Sequence, residues 1–167
     1  MNSPHFSDVI CVDQRARYEH LRTLAENLMS SLLALSNSLA DTVEQVGIAV
    51  VAVNGGTRLS QSGIHWRNGI IVTSDESLQR YEDITITLSN GNTVPVTLIG
   101  HDSSTDIAVF KLENAEIPVA KVGDAKTLKV GHLVLGLARG SEGDLRAAMG
   151  AVSVVRGAWR SMCGGNI

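Results

Sequence analysis

Leu21, Leu24, Leu28, Leu32, Leu35, Leu39, Val43 and Val46 recur at spacings of three and four residues, with no proline or glycine between them. This spacing keeps one apolar face on a helix for about seven turns. It predicts a long amphipathic helix over residues 17–46, stopped by Gly47, with residues 1–16 as a flexible polar tail. The mean spacing of about 3.5 residues suits a coiled-coil seam, and it equally suits a face laid on the rest of the domain. In either case the stripe needs a partner surface.

After Gly47 the period falls to two and turn residues become frequent. Strands are predicted at 48–53, 59–66, 70–73, 83–88, 93–100, 106–112, 119–122, 132–137 and 147–155. The breaks between them carry reversal signals. Arg67-Asn68-Gly69 and Ser89-Asn90-Gly91-Asn92 are tight turns whose Asn and Gly tolerate positive φ. Many short strands at this spacing indicate an antiparallel barrel or sandwich. Aromatic residues make up only 4% of the chain, so the core must rest on Val, Ile, Leu and Ala.

The chain's 14 basic and 17 acidic residues form no basic stripe, which argues against nucleic acid as a partner. No stretch reaches the roughly 18 apolar residues of a membrane span. Residues 28–40 are the nearest thing to a signal peptide, but they start deep in the chain and follow Asp13, Glu19 and Glu26. The expected location is therefore cytoplasmic. Cys11 and Cys163 lie near opposite ends without ligand spacing, so they are expected as reduced thiols. No metal or cofactor is expected, since no nucleotide-binding loop, HExxH or EF-hand occurs.

Two acidic spots stand out: Thr73-Ser74-Asp75-Glu76 and His101-Asp102-Ser103-Ser104-Thr105-Asp106. Turn chemistry alone accounts for either. In order along the chain, however, six segments add up. Ser62-Gly63-Ile64, Ile70-Ile71-Val72-Thr73, Leu88-Ser89-Asn90-Gly91 with 94–100, 100–112 around Asp106-Ile107-Ala108, Gly123-Asp124-Ala125 with 128–131, and Gly150-Ala151-Val152-Ser153 resemble the trypsin-like serine proteases of the HtrA/Deg type. The resemblance implies a mainly β, chymotrypsin-like fold behind the helix, with a first barrel at 47–122 and part of a second at 123–167. It also implies that Asp106 stands at the position of the catalytic Asp.

Two departures follow from the same comparison. The family's Val-Thr-x-x-His-Val reads Val72-Thr73-Ser74-Asp75-Glu76-Ser77 here, so Glu76 stands where the general base belongs. The Gly-x-Ser-Gly-Gly loop would come later than Ile167, and Ser161 has no such surroundings. The expectation is a protein that binds or assembles rather than cuts, as a homo-oligomer or with a complementing polypeptide. A protein or peptide partner is compatible with this. The alternative is the N-terminal part of an endopeptidase whose Ser-bearing half is supplied elsewhere. If the strand ends converge as in the family, Glu76 and Asp106 come close. Then either one carboxyl has a raised pKa or Glu76 turns into water. His65, His101 and His132 are expected to be structural or solvated.

Overall fold

The computed structural model describes residues 6–55, 60–78, 81–113, 117–157 and 160; Ser161 and Cys163 lie outside them, as does the side chain of Cys11. Helix α1 spans Phe6–Gly47, so it begins well before Arg17 and takes in most of the expected tail. Its serines and threonines are accommodated by bonding to the preceding turn: Thr23 Oγ1 donates to the Glu19 carbonyl at 3.0 Å and Ser31 Oγ to that of Asn27 at 2.9 Å. Leu24, Leu28, Leu32 and Leu35 are 51%, 62%, 52% and 46% exposed. The chain divides into two compact units, residues 1–41 and 42–167.

The second unit is β. Strands β1 (Val50–Asn54), β2 (Gln61–Arg67), β3 (Ile70–Thr73), β4 (Thr85–Thr87), β5 (Thr93–Pro95), β6 (Thr97–Asp102) and β7 (Ile107–Lys111) form one antiparallel sheet in the order β5-β4-β1-β2-β3-β7-β6. In a flat sheet the two outer strands would lie about 29 Å apart. Yet only Val96 separates Pro95 of β5 from Thr97 of β6. The sheet must therefore curl until its edges meet, which makes it a half-barrel of the chymotrypsin-like kind. The Val96 N–H donates to the Ile84 carbonyl at 3.1 Å, fastening the link to the start of β4. The single strand expected at 93–100 is thus two strands that belong to opposite edges.

The curled face encloses Val51, Val53, Ile71, Ile84, Ile86, Phe110 and Leu112, all buried. Gly63 sits where a Cβ would come within 2.9 Å of Val53 Cγ2 and 3.1 Å of Ile71 Cγ2, so its missing side chain is the space those two fill. Gly91 supplies the turn after β4 with φ 82°, closed by the Leu88 N–H bond to Asn92 O. The strand expected at 119–122 is extended coil. It follows Pro118 and is tied by the Ala120 N–H to the His65 carbonyl at 2.8 Å.

Strands β8 (Leu133–Arg139) and β9 (Leu145–Ala151) make a separate antiparallel pair. β1 is buried along Val50–Val53, as its unbroken apolar run requires when both faces are covered. The inner face meets the barrel core. On the other side is β8, whose last residue, Arg139, is only 5% exposed. Its guanidinium donates to three carbonyls: Val50 at 2.6 Å, Gly47 at 2.6 Å and Gly143 at 2.5 Å. Burial pushes its pKa down, and nearby Asp144 offsets part of this. Its backbone N–H donates to Ser62 Oγ at 3.0 Å.

Replacing Arg139 with Met should keep the volume but strip those carbonyls of their donor. A loss of about 3 kcal/mol is expected from such a change. Urea unfolding of the two proteins, followed by far-UV circular dichroism, measures it; an unchanged midpoint would show that the anchor contributes little.

Candidate functional site

The site forms where β3 ends and β7 begins. The two strands are antiparallel, and Thr73 pairs with Ala108. The chain leaving Thr73 and the chain entering Ile107 are therefore neighbours, and the Asp75 N–H reaches the Asp106 carbonyl at 3.4 Å. Both acidic spots of the sequence meet here and form one cluster.

Asp106 adopts φ 57°, a conformation that Asp tolerates better than most residues. From that position its carboxylate accepts from Ser74 Oγ at 2.9 and 2.8 Å, and from the Glu76 N–H at 2.7 Å. These bonds favour the ionised form. The Glu76 amide first, then the Ser74 hydroxyl, hold the Asp106 pKa below the usual carboxylate range. Residues 76 and 106 thus converge, but Glu76 gives its main chain to the contact. The Glu76 residue is exposed. The raised pKa expected of a tight carboxylate pair accordingly does not arise at Asp106. The partner of its carboxylate is a peptide N–H and a hydroxyl where an orienter would hold an imidazole.

Beside it lies a carboxylate that the sequence reading passed over. Asp75 is 4% exposed. It accepts from Ser103 Oγ at 2.6 Å and from the Tyr81 hydroxyl at 2.8 Å, and His101 Nδ1 lies 3.2 Å from it. The Ser103 bond is the main cause that lowers the Asp75 pKa; burial opposes it, and Tyr81 and His101 add to the lowering. In return the Tyr81 hydroxyl is pushed up, chiefly by its bond to Asp75. The Tyr81 and His101 rings stack at 4.4 Å. His101 is therefore a wall of this cluster and more than a loop ornament. The only sequence signal was that Asp75 and His101 each sat in an acidic spot. Nothing in the spacing said that 75, 81, 101 and 103 would meet.

The connecting turn is organised by Asp102, which accepts from the Ser104 N–H and Oγ at 2.9 and 2.7 Å and from Thr105 Oγ1 at 3.0 Å. Its pKa is lowered by the same bonds, those of Ser104 first. His65 stands apart, buried in β2. It accepts from the Gly69 N–H at Nε2 (3.1 Å), which leaves Nδ1 to donate to the Pro118 carbonyl at 3.0 Å. His132 Nδ1 accepts from the Lys129 N–H at 3.3 Å in the turn before β8. Among the described residues no three His, Cys, Asp or Glu side chains converge on a possible metal position. No helix among them is long and apolar enough to cross a membrane.

The pH dependence of stability follows from the signs. Asp75 and Asp106 have depressed pKa values in the folded state, so their contribution is complete above the unfolded value of about 3.9 and is lost as pH falls through the folded values. Asp75→Asn should lower the urea midpoint at pH 7 and flatten its decline between about pH 4 and pH 2. A variant whose acid limb stays as steep as the parent's would exclude Asp75 as a source of that decline.

Comparison with known proteins fits this geometry. The model of the trypsin-like peptidase domain matches residues 61–166. A "Probable periplasmic serine endoprotease DegP-like" of Pseudomonas savastanoi pv. phaseolicola is 39% identical over 70 residues, which is 42% of this chain and 15% of that protein. Its namesake in Halomonas elongata is 28% identical over 88 residues, 53% of this chain and 19% of the relative. That of Chlamydia pneumoniae is 34% identical over 70 residues, 42% and 14%. The chain thus spans less than a fifth of each of these relatives. They are named periplasmic, which overturns the cytoplasmic location expected from the sequence. That expectation rested on residues 28–40 making a poor leader, a weak ground beside the names of these relatives. With the curled sheet, the convergence of residues 76 and 106 and a match over more than half its length, the chain belongs to the trypsin-like peptidase domain family.

Proposed function

We propose that this protein uses the trypsin-like fold for binding or assembly and does not hydrolyse peptides with the site at Glu76 and Asp106. One observation carries the reading: the Asp106 carboxylate is occupied by the Glu76 N–H and Ser74 Oγ. Acyl transfer of the trypsin type needs an imidazole that takes a proton from the nucleophile and returns it to the leaving amine. A carboxylate side chain in place of that imidazole is poorly matched to the return step at neutral pH. The Asp then acts as a clasp between the β3 and β7 ends. The relatives' names support a periplasmic or secreted location.

The second reading, an N-terminal portion of an HtrA-like endopeptidase completed by a Ser-bearing part, is favoured by the β8–β9 pair. A two-stranded sheet is marginal by itself. Here Leu133, Val134 and Met149 are exposed on it. Beside it an apolar groove of about 320 Å³ is lined by Val46, Val50, Ile64, Val72, Leu135 and Leu137. Further β structure, from the same or another polypeptide, would cover both.

Incubation with casein and with a fluorophosphonate probe separates the readings. No turnover and no labelling are expected, and Glu76→His alone should restore neither. Casein turnover that disappears in Asp106→Asn would overturn the proposal and establish a working catalytic Asp.

A further inference from the structure

The turn between β8 and β9 borders a second hollow, polar in character, of about 150 Å³. Ser60, Ser62, Arg139, Gly140, Ser141 and Arg146 line it, and among the described residues none of its lining is acidic. Two arginines and three serines thus meet in one place. They come from the start of β2 and from the end of β8 with its turn, so the hollow lies on the seam between barrel and hairpin. Its volume is that of about five waters in the liquid, and a phosphate ion has as many heavy atoms.

Arg139 brings a buried charge to this seam. A guanidinium has five N–H groups. Those of Arg139 donate to the carbonyls of Val50, Gly143 and Gly47, one bond each, which leaves two. All three acceptors are neutral. Among the described residues no carboxylate lies within ion-pair distance of it; Asp144 acts on it from farther off. A desolvated cation held only by neutral acceptors makes the space beside it positive. Arg146 adds to this field. Asp144 grips it through Nε at 2.7 Å, so its terminal N–H groups are left for a further acceptor. Ser62 Oγ accepts the Arg139 main-chain N–H, so its own hydroxyl proton is left to donate. Two guanidinium charges against the one carboxylate of Asp144 leave the site net positive, and every group named is a donor.

We propose that this hollow is a binding site for a small oxyanion, a carboxylate or a phosphate, held by Arg139, Arg146 and the Ser62 hydroxyl. Guanidinium groups and hydroxyls supply charge-assisted hydrogen bonds to either anion. The bound anion ties the start of β2 to the β8–β9 turn and supplies the counter-charge that Arg139 lacks. The site shares no residue with the Asp106 cluster, so it holds under either reading of that cluster.

The test titrates the whole, nitrogen-15-labelled chain with sodium phosphate, sodium acetate or sodium chloride at matched ionic strength. Amide shifts of Ser60, Ser62, Gly140 and Ser141 should move and saturate with phosphate, acetate or both, and stay still with chloride. Saturation with phosphate alone assigns a phosphate ligand, and saturation with acetate alone a carboxylate. Arg146→Gln should weaken the binding roughly fivefold, and Ser62→Ala roughly tenfold. Should Ser62→Ala fail to fold, Arg146→Gln decides the matter, since its side chain is exposed and lies outside the Arg139 anchor. Shifts that never saturate, that chloride reproduces, or that are as strong in Arg146→Gln as in the parent would overturn the proposal.

Discussion

The one-residue link at Val96 governs the rest of the β unit. It joins strands that stand at opposite edges of a seven-stranded sheet, so it admits only a closed or nearly closed curl. Once the edges are joined, the apolar sides of β1, β3, β4 and β7 face one another, and Phe110 fills the middle. The same curl places the ends of β3 and β7 side by side. Residues 74–76 and 101–106 are thereby forced together, whatever chemistry they carry.

The geometry of that meeting point matches the family, while the groups bonded at it differ. In a trypsin-like enzyme an Asp at position 106 orients an imidazole. Here its oxygens are taken by Ser74 and by a backbone amide. The buried Asp75, held by Ser103 and Tyr81 beside His101, adds a second carboxylate that ties the β3 end to the β6–β7 turn. Both carboxylates are satisfied by hydrogen bonds, so the cluster is a polar joint between the β3 end and the β6–β7 turn. A joint of this kind is stable at neutral pH because its anions have donors.

Much of this was legible in the residues, and the limits are instructive. The helix was visible because its period is strong and uninterrupted, although its start was not: the polar stretch before Arg17 has no breaker after Pro4, and helix continues to Phe6. Strands β3 and β7 were plain from their apolar runs. The break at Val96 was hidden because Thr93 to Gly100 alternates without any turn residue except Pro95, and proline is common on edge strands. The acidic spots could be marked, but their union is a tertiary fact created by strand pairing. His101 looked solitary in sequence for the same reason. The location could not be read from composition at all; it is the relatives' names that point to the periplasm.

Arg139 ends β8 in a pocket of main-chain oxygens, and every residue type offers a main-chain oxygen. Val50 can thus change its side chain without removing an acceptor, whereas Gly47 leaves the space that Leu145 fills and Gly143 holds φ 87°. The joint between barrel and hairpin shares no residue with the Asp106 cluster. The architectural joint and the Asp106 cluster in this chain rest on separate sets of atoms. Substitutions within the Asp106 cluster can then leave the frame intact, with selection acting on what the frame holds together.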